Sequence, residues 1–188
     1  MSEYHTPVLL DESVTALIGD AASGIYADAT FGGGGHSREI LSRLTNAGRL
    51  LAFDRDSDAL LNKPDDSRLV LIHNNFRFVH NYVLEQCYTD GIDGILADLG
   101  VSSHQFDTAE RGFSFRFDAP LDMRMNTGAE LTAADVVNGY SAEELERVLR
   151  MYGEVEGAGK MAALIVKARE SAPIERTGDL DRAIERML

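Results

Sequence analysis

The sequence predicts an α/β protein in which a parallel sheet is followed by a separate helical unit. A short apolar run, Ile25 to Ala29, leads into the glycines Gly32 to Gly35 and then into a segment with helical spacing of apolar residues. Strand-like and helix-like segments alternate up to Ser103, which is typical of a parallel sheet. After Ser103 the alternation stops, and the chain becomes irregular and then helical.

The first part of the chain is expected to hold four buried strands. We predict them at residues 25–29, 49–53, 68–73 and 91–97. Helices are predicted at residues 11–18, from residue 37 to an end near residues 46–48, at residues 57–61, and from just after Phe76 to about residue 87. Residues 1–10 are expected to be extended because Thr6 precedes Pro7.

The second part is expected to be a helical domain with an irregular entry loop. We place the boundary between 1–105 and 106–188. Helices are predicted at residues 132–138, 141–151, 157–169 and 179–187, the second opened by a capping box from Ser141 to Glu144 and the last capped by Thr177.

Composition limits the classes of partner. The 188 residues carry 18 Lys and Arg against 31 Asp and Glu, a formal net charge of -13. This balance argues against non-specific affinity for bulk nucleic acid or for an anionic membrane. No apolar segment is long enough to span a membrane, and no signal-peptide pattern is present, so we expect a cytoplasmic protein with no membrane partner.

Metal and thiol chemistry have little support. The five histidines form no pair or cluster with ligand spacing, so no metal site is predicted. Cys87 is the single cysteine, which excludes an internal disulfide, and we expect it to be a small buried residue.

Several polar or aromatic residues are expected to converge at one edge of the sheet. Asp54 ends the second strand, 20 residues past Gly34, where an acidic side chain binds ribose hydroxyls in nucleoside-binding α/β folds. Alternatively, Asp54, Asp56 or Ser57 caps the next helix. Asp98 follows the fourth strand. Carboxyl ends of parallel strands meet at the edge where ligands bind, so these groups and the glycine turn predict a nucleoside site.

Two aromatic features allow more than one interpretation. Phe76 follows the third strand and is placed to stack on a purine, although the residues alone favour packing under its own helix. Residues 104–128 interleave Arg and Phe, a pattern that suits stacking and pairing with nucleic acid. Acidic residues cancel the charge of this stretch, so composition alone favours a packed loop.

Several long motifs together resemble one family. They are HTPVLLDE at 5–12, DATFGGGGHS at 28–37, DRD at 54–56, DLGVSSHQFD at 98–107, ERGFSFR at 110–116, PLDMRM at 120–125 and YGE at 152–154. In this order they resemble the RsmH/MraW S-adenosylmethionine-dependent methyltransferases of small-subunit ribosomal RNA, which methylate the exocyclic amine of a cytidine.

The resemblance implies a Rossmann-like class I methyltransferase fold with a helical insert domain after the fourth strand. It implies S-adenosylmethionine as cofactor, small-subunit ribosomal RNA as partner, and a role near both for residues 104–125. The cofactor contacts that it carries over are Gly34, Gly35, His36, Asp54, Phe76, Asp98 and Gln105. Asp98 is also the candidate catalytic residue, as an acceptor for the amine N–H groups.

The family continues beyond position 188 and completes its sheet there. The sheet of this chain is therefore expected to be incomplete, with an apolar edge exposed. Either the chain is a fragment or a partner, for example a second copy in a homo-oligomer, covers that edge. Two other functions stay open: an NAD-dependent oxidoreductase, which shares the glycine turn and Asp54, and a truncated, non-catalytic module that binds cofactor or RNA.

Overall fold

The computed structural model describes residues 7–187 of the chain. The chain divides into two compact units. Residues up to Gly100, together with Met125–Thr127, form the first unit, and Val101–Arg124 with the residues from Gly128 onward form the second.

A four-stranded parallel sheet forms the centre of the first unit. Its strands are β1 (Ile25–Asp28), β2 (Arg49–Asp54), β3 (Leu69–His73) and β4 (Gly94–Leu96), in the order β3-β2-β1-β4. The prediction of four buried parallel strands is confirmed. β4 is shorter than predicted, because Asp93 bonds to Ile25 through both its N–H and its side chain, ahead of the regular ladder.

The helices of the first unit are α1 (Leu10–Ile18), α2 (Gly35–Arg43) and α3 (Val79–Glu85). The helix predicted at 11–18 is confirmed within one residue. The next predicted helix corresponds to α2, which begins two residues earlier than predicted and ends at Arg43, ahead of the end predicted near residues 46–48. The helix predicted at 57–61 is a 3-10 helix, Asp58–Asn62, and another 3-10 turn, Phe76–Phe78, precedes α3.

Two other expectations for this unit are wrong. Leu10 already belongs to α1, so the extended segment ends earlier than predicted, and residues 1–6 lie outside the described residues. Cys87 is exposed, since the chain turns there with a left-handed backbone at the end of α3.

The core of the first unit lies on both faces of the sheet. Tyr26 and Leu50 pack with Ile40 of α2 on one face. Ala27, Leu51 and Phe53 pack with α3 on the other. Burial on both faces explains why the strands read as continuous apolar runs instead of alternating ones. At the end strand β4, Ile95 remains 48% exposed.

The second unit is helical within the described residues. Its elements are α4 (Ser103–Asp107), a 3-10 turn (Ala109–Arg111), α5 (Ala133–Gly139), α6 (Ala142–Gly153), α7 (Ala158–Arg169), α8 (Thr177–Ile184) and a final 3-10 turn (Glu185–Met187). Its core consists of Leu121, Val137, Leu145, Ala162, Ile165 and Ile174. No helix in the described part of the chain has the length and apolar character needed to cross a membrane.

Two details of this unit differ from the sequence predictions. The stretch predicted to be irregular contains α4, which begins with a capping box between Ser102 and Gln105. Thr177 does not cap α8, because Arg176 occupies the cap position. The Thr177 hydroxyl instead donates to the Phe117 carbonyl at 2.7 Å and accepts from the Ala119 N–H at 3.1 Å, which fixes the entry loop.

Candidate functional site

A buried carboxylate organises the carboxyl edge of the sheet. Asp28 ends β1 and is fully buried. One of its oxygens, Oδ2, accepts a hydrogen bond from the Ser37 hydroxyl of α2 at 2.6 Å, and Oδ1 accepts from the Thr30 N–H at 3.0 Å. The Thr30 hydroxyl in turn accepts from the Asp98 N–H at 2.8 Å. Asp28 therefore connects the ends of β1 and α2 directly, and the segment after β4 through Thr30.

The protonation of Asp28 depends on this network. Burial raises the pKa of the Asp28 carboxyl above its ordinary value, because an apolar environment disfavours the charged form. The hydrogen bonds from Ser37 and Thr30 oppose the rise, since both donors favour the carboxylate. The two hydrogen bonds therefore lower the free-energy cost of burying a carboxyl group at this position.

The glycine turn and Asp54 are joined directly. The Gly32 N–H donates to Asp54 Oδ2 at 2.7 Å, and the Asp56 N–H donates to Asp54 Oδ1 at 2.8 Å. Each oxygen of an ionised carboxylate has two lone pairs, so each Asp54 oxygen keeps acceptor capacity for a ligand. Of the three residues considered as caps of the next helix, Ser57 occupies the cap position but makes no side-chain cap bond, and Asp54 bonds to the Asp56 N–H ahead of it. Asp56 is the one whose side chain bonds to the start of this helix, because its Oδ1 accepts from the Asp58 N–H at 3.2 Å.

The turn presents backbone donors at the start of α2. Gly34 occupies the N-cap position with φ of 75°, a left-handed conformation that glycine adopts without strain. Gly35 lies so close to the Pro7 ring that a Cβ would collide with it. Within residues 7–187, the N–H groups of Gly33, Gly35 and His36 donate to no protein acceptor. They form a cluster of free donors at the positive end of the helix dipole.

The His36 side chain is nearly buried and has a partner within the protein. The residue is 6% exposed, and its Nε2 lies 3.3 Å from the Val8 carbonyl oxygen. Its backbone N–H, by contrast, is one of the free donors of the turn. The backbone of His36 is therefore the part with an unused donor for a ligand.

The other predicted site residues differ in their surroundings. Asp98 is exposed, and no described residue bonds to its carboxylate. Phe76 is 38% exposed, and it follows β3, whose His73 pairs with Asp54. Gln105 belongs to the second unit, where its Oε1 accepts from the Ser102 N–H at 3.1 Å within the capping box.

The first unit thus brings most of the predicted site residues to one edge, and it adds residues that sequence reasoning missed. Asp28, Thr30 and Ser37 support the turn and were not predicted as part of the site. The sequence does carry one indication of this role, because Asp28 is an acidic residue at the end of an otherwise apolar strand. The described residues contain no group of three or more His, Cys, Asp or Glu side chains that is arranged to hold a metal ion.

Comparison with known proteins agrees with this geometry. The family model described as MraW methylase family matches residues 2–188. The chain belongs to the MraW methylase family. A parallel sheet in the order β3-β2-β1-β4 with flanking helices is the Rossmann-like class I methyltransferase arrangement, so the predicted fold class is confirmed.

Several curated relatives carry the name Ribosomal RNA small subunit methyltransferase H. The protein of Parabacteroides distasonis is 53% identical over 97% of this chain, which corresponds to 59% of the relative's own length. The protein of Bacteroides fragilis is 54% identical over 94% of this chain and 57% of its own length. The protein of Christiangramia forsetii is 50% identical over the whole chain and 62% of its own length. The chain therefore spans about 60% of the relatives that it matches.

The Asp28–Ser37 bond predicts a pH-dependent cost for the change Ser37→Ala. The raised pKa of Asp28 means that folding favours its neutral form. Its stabilising contribution is complete below about pH 4, the ordinary carboxyl range, and is lost as pH rises through the folded-state pKa. Removing the Ser37 donor raises the pKa of Asp28 further, so that more of the free energy of unfolding is lost at higher pH.

We expect Ser37→Ala to lower the free energy of unfolding by about 1–3 kcal/mol at neutral pH, and by less below about pH 4. Urea unfolding at both pH values measures the difference. Ser42→Ala is the matched control, because Ser42 is an exposed serine of the same helix. Equal losses for the two variants at neutral pH would contradict the assigned role of the Asp28–Ser37 bond.

Proposed function

We propose that this chain contains the cofactor-binding part of an S-adenosylmethionine-dependent methyltransferase acting on the exocyclic amine of a cytidine in small-subunit ribosomal RNA. The observation that carries the proposal is the 2.7 Å bond between the Gly32 N–H and Asp54. It joins a donor-rich glycine turn to an acid with free acceptor capacity, as a nucleoside cofactor requires. Family membership and the names of the relatives support the reaction class.

The residues of the first unit fit S-adenosylmethionine by the chemistry of their donors and acceptors. Asp54 would accept from the ribose hydroxyls, and the exposed Phe76 ring would stack on the adenine. The N–H groups of Gly35 and His36 would bind a carboxylate at the helix start, with Gly34 shaping the turn. Asp98 lies at the same edge, and the family resemblance adds Gln105 of the second unit.

Asp98 is the proposed catalytic residue. When bound, the cofactor supplies an electrophilic methyl group. A cytosine amine is a poor nucleophile, because its lone pair is delocalised into the ring. An acceptor for its N–H groups favours the attacking geometry, stabilises the positive charge that develops on the nitrogen, and can take the proton that the nitrogen loses. Among the described residues the Asp98 carboxylate has no competing protein donor, and its backbone is held by Thr30.

The second unit supports an RNA substrate through its entry loop. Phe115 is 86% exposed, so its ring offers a free face for a nucleobase. Neighbouring Arg116 pairs with Asp107 at 2.6 Å, which leaves this loop with little net charge. With a net charge of -13, the protein would recognise a shaped ribosomal surface through local contacts instead of bulk RNA. Such a substrate is in keeping with a cytoplasmic location.

The change Asp54→Asn tests the cofactor proposal. An amide keeps an acceptor for the Gly32 N–H but loses the charge that binds ribose hydroxyls. We expect S-adenosylmethionine affinity to fall about 10- to 100-fold in calorimetric titration, the effect of a lost charge-assisted hydrogen bond.

Asp65→Asn is the matched control for this titration, since Asp65 is an exposed acid of the same unit and lies outside the glycine turn and its hydrogen bonds. It should leave the affinity unchanged. NADH forms the second arm, because a nicotinamide dinucleotide would use the same turn and acid. Tight NADH binding without S-adenosylmethionine binding would overturn the proposal in favour of an oxidoreductase.

The change Asp98→Ala tests the chemical step in the complete protein. We expect transfer of a labelled methyl group to small ribosomal subunits to fall at least about 100-fold, as is typical when an acid–base group is removed. Retained cofactor affinity in the same variant would assign Asp98 to the reaction, and lost affinity would restrict it to cofactor binding. Asp90→Ala, at another exposed acid, is the control. Undiminished transfer by Asp98→Ala would exclude the catalytic role.

A further inference from the structure

A concave site lies where β2 and β3 end, next in sequence to Asp54 and Phe76. It is a cavity of about 280 Å³ within the first unit. Its lining residues are all neutral or basic, and they are Arg55, His73, Asn74, Asn75, Arg77, Phe78 and Asn126. We call it the arginine pocket. None of its residues belongs to the proposed cofactor contacts.

Both arginines of this pocket lack an acidic partner. Among residues 7–187, no carboxylate lies within 4.0 Å of the guanidinium of Arg55 or Arg77. Elsewhere in the same unit, Arg43 pairs with Asp11 and Glu39, and Arg68 pairs with Asp66. In a chain with 31 acidic residues, two unpaired guanidiniums in one concavity form a local positive site.

The polar groups of the pocket are held in place. The Arg77 guanidinium lies over the Phe78 ring, with Cζ 4.5 Å from the ring centroid. Stacking of this kind leaves the N–H groups at the edge of the guanidinium directed sideways and available. The His73 Nε2 lies 3.1 Å from the Arg55 carbonyl oxygen and fixes the backbone that carries Arg55.

One of the asparagines also presents a donor. Asn75 Oδ1 accepts from the Arg77 N–H at 2.9 Å, which sets the orientation of the amide. Within the described part of the chain, the Asn75 NH₂ group then has no protein acceptor. The Asn74 amide is already engaged, because its NH₂ group donates to the Tyr82 hydroxyl at 3.0 Å and its Oδ1 accepts from the Asn75 N–H at 2.7 Å. The donors offered to a ligand are therefore those of the two guanidiniums and of Asn75, and no carboxylate is among the lining residues.

We propose that the arginine pocket binds a phosphodiester group of the RNA strand whose nucleotide is methylated. The inference rests on the proposed function, which supplies the RNA. Two guanidiniums with in-plane donors match the geometry of phosphate oxygens, and amide NH₂ groups are common partners of phosphate and sugar. Arg55 directly follows Asp54, so the contact fixes the strand at the edge of the sheet where the cofactor is proposed to bind.

The test is the salt dependence of RNA binding by the double variant Arg55→Gln/Arg77→Gln. The probe is the small ribosomal subunit, titrated into fluorescently labelled protein and measured by anisotropy from about 50 to 200 mM salt. A lost phosphate contact reduces the slope of log affinity against log salt by about 0.7 for single strands. We expect the double variant to lose about 0.7–1.4 of slope and to bind at least about tenfold more weakly at low salt.

Lys63→Gln is the matched control. Lys63 is an exposed cation of the same unit that is outside the pocket, so its variant removes charge without removing the proposed contact. It should leave the slope unchanged. An equal change of slope in Lys63→Gln and in the arginine variants would overturn the proposal, because it would indicate diffuse attraction only.

Two further arms separate the possible outcomes. Inorganic phosphate is titrated against the wild-type chain and the double variant: phosphate binding that depends on the arginines while RNA binding does not would overturn the proposal in favour of a small-anion site. S-adenosylmethionine affinity is measured in the same variants. Unchanged cofactor affinity with a reduced RNA slope supports the pocket. A reduced slope in a protein that fails to bind S-adenosylmethionine would also support it, although the proposed function would then fail.

Discussion

The hydrogen bond between the Ser37 hydroxyl and the buried Asp28 carboxylate is the interaction on which the site depends. It is 2.6 Å long and lies where β1, the glycine turn and α2 meet. A strand and a helix that follow each other could pack at several relative depths, because apolar contacts have no fixed direction. A hydrogen bond to a buried carboxylate removes that freedom, since an unpaired charge there would be costly. The glycine turn between the two elements is thereby held in one conformation.

The donors and the acceptors at this edge of the sheet come from different parts of the chain. The donors are backbone N–H groups at the start of α2, which exist because a helix leaves its first turn without acceptors. The acceptors are the carboxylates of Asp54 and Asp98, at the ends of β2 and β4. Asp54 is tied to Gly32 before any ligand arrives, and Asp98 is tied to Thr30 through its backbone. A cofactor would therefore meet groups whose positions are already fixed, which reduces the entropy lost on binding.

The sequence predicted the strands and the main helices because each has a strong local signal. The apolar run from Arg49 to Phe53 and the capping box at Ser141 both correspond to elements of the structure. Shorter elements escaped prediction for physical reasons. The capping box of Ser102 and Gln105 opens a helix of only five residues, too short to show a period. Thr177 looked like a cap by residue type, but its hydroxyl bonds to residues about 60 positions away, which no local pattern reveals.

The site residues that could be predicted from the sequence are those whose position follows from the order of the parallel strands. Asp54 and Asp98 were expected at the sheet edge because parallel strands end there, and the structure places both there. The bonds of Asp28 that hold the glycine turn, and the arginine pocket, could not be predicted from the sequence. Both depend on the directions of side chains and on which charged groups lack a partner. His36 illustrates the same limit: the sequence does not reveal that its ring nitrogen Nε2 lies 3.3 Å from the Val8 carbonyl oxygen.

A ¹⁵N-resolved NMR titration of the chain with S-adenosylhomocysteine, the demethylated form of the proposed cofactor, tests the proposed site most directly. We expect the largest amide shifts at Gly33, Gly35 and His36, whose N–H groups are free of protein acceptors in the described structure. We also expect a shift at Gly32, because a ligand on Asp54 would change the bond between them. If the amide signals of these four residues stay in place while those of another surface shift, the cofactor does not bind at this turn.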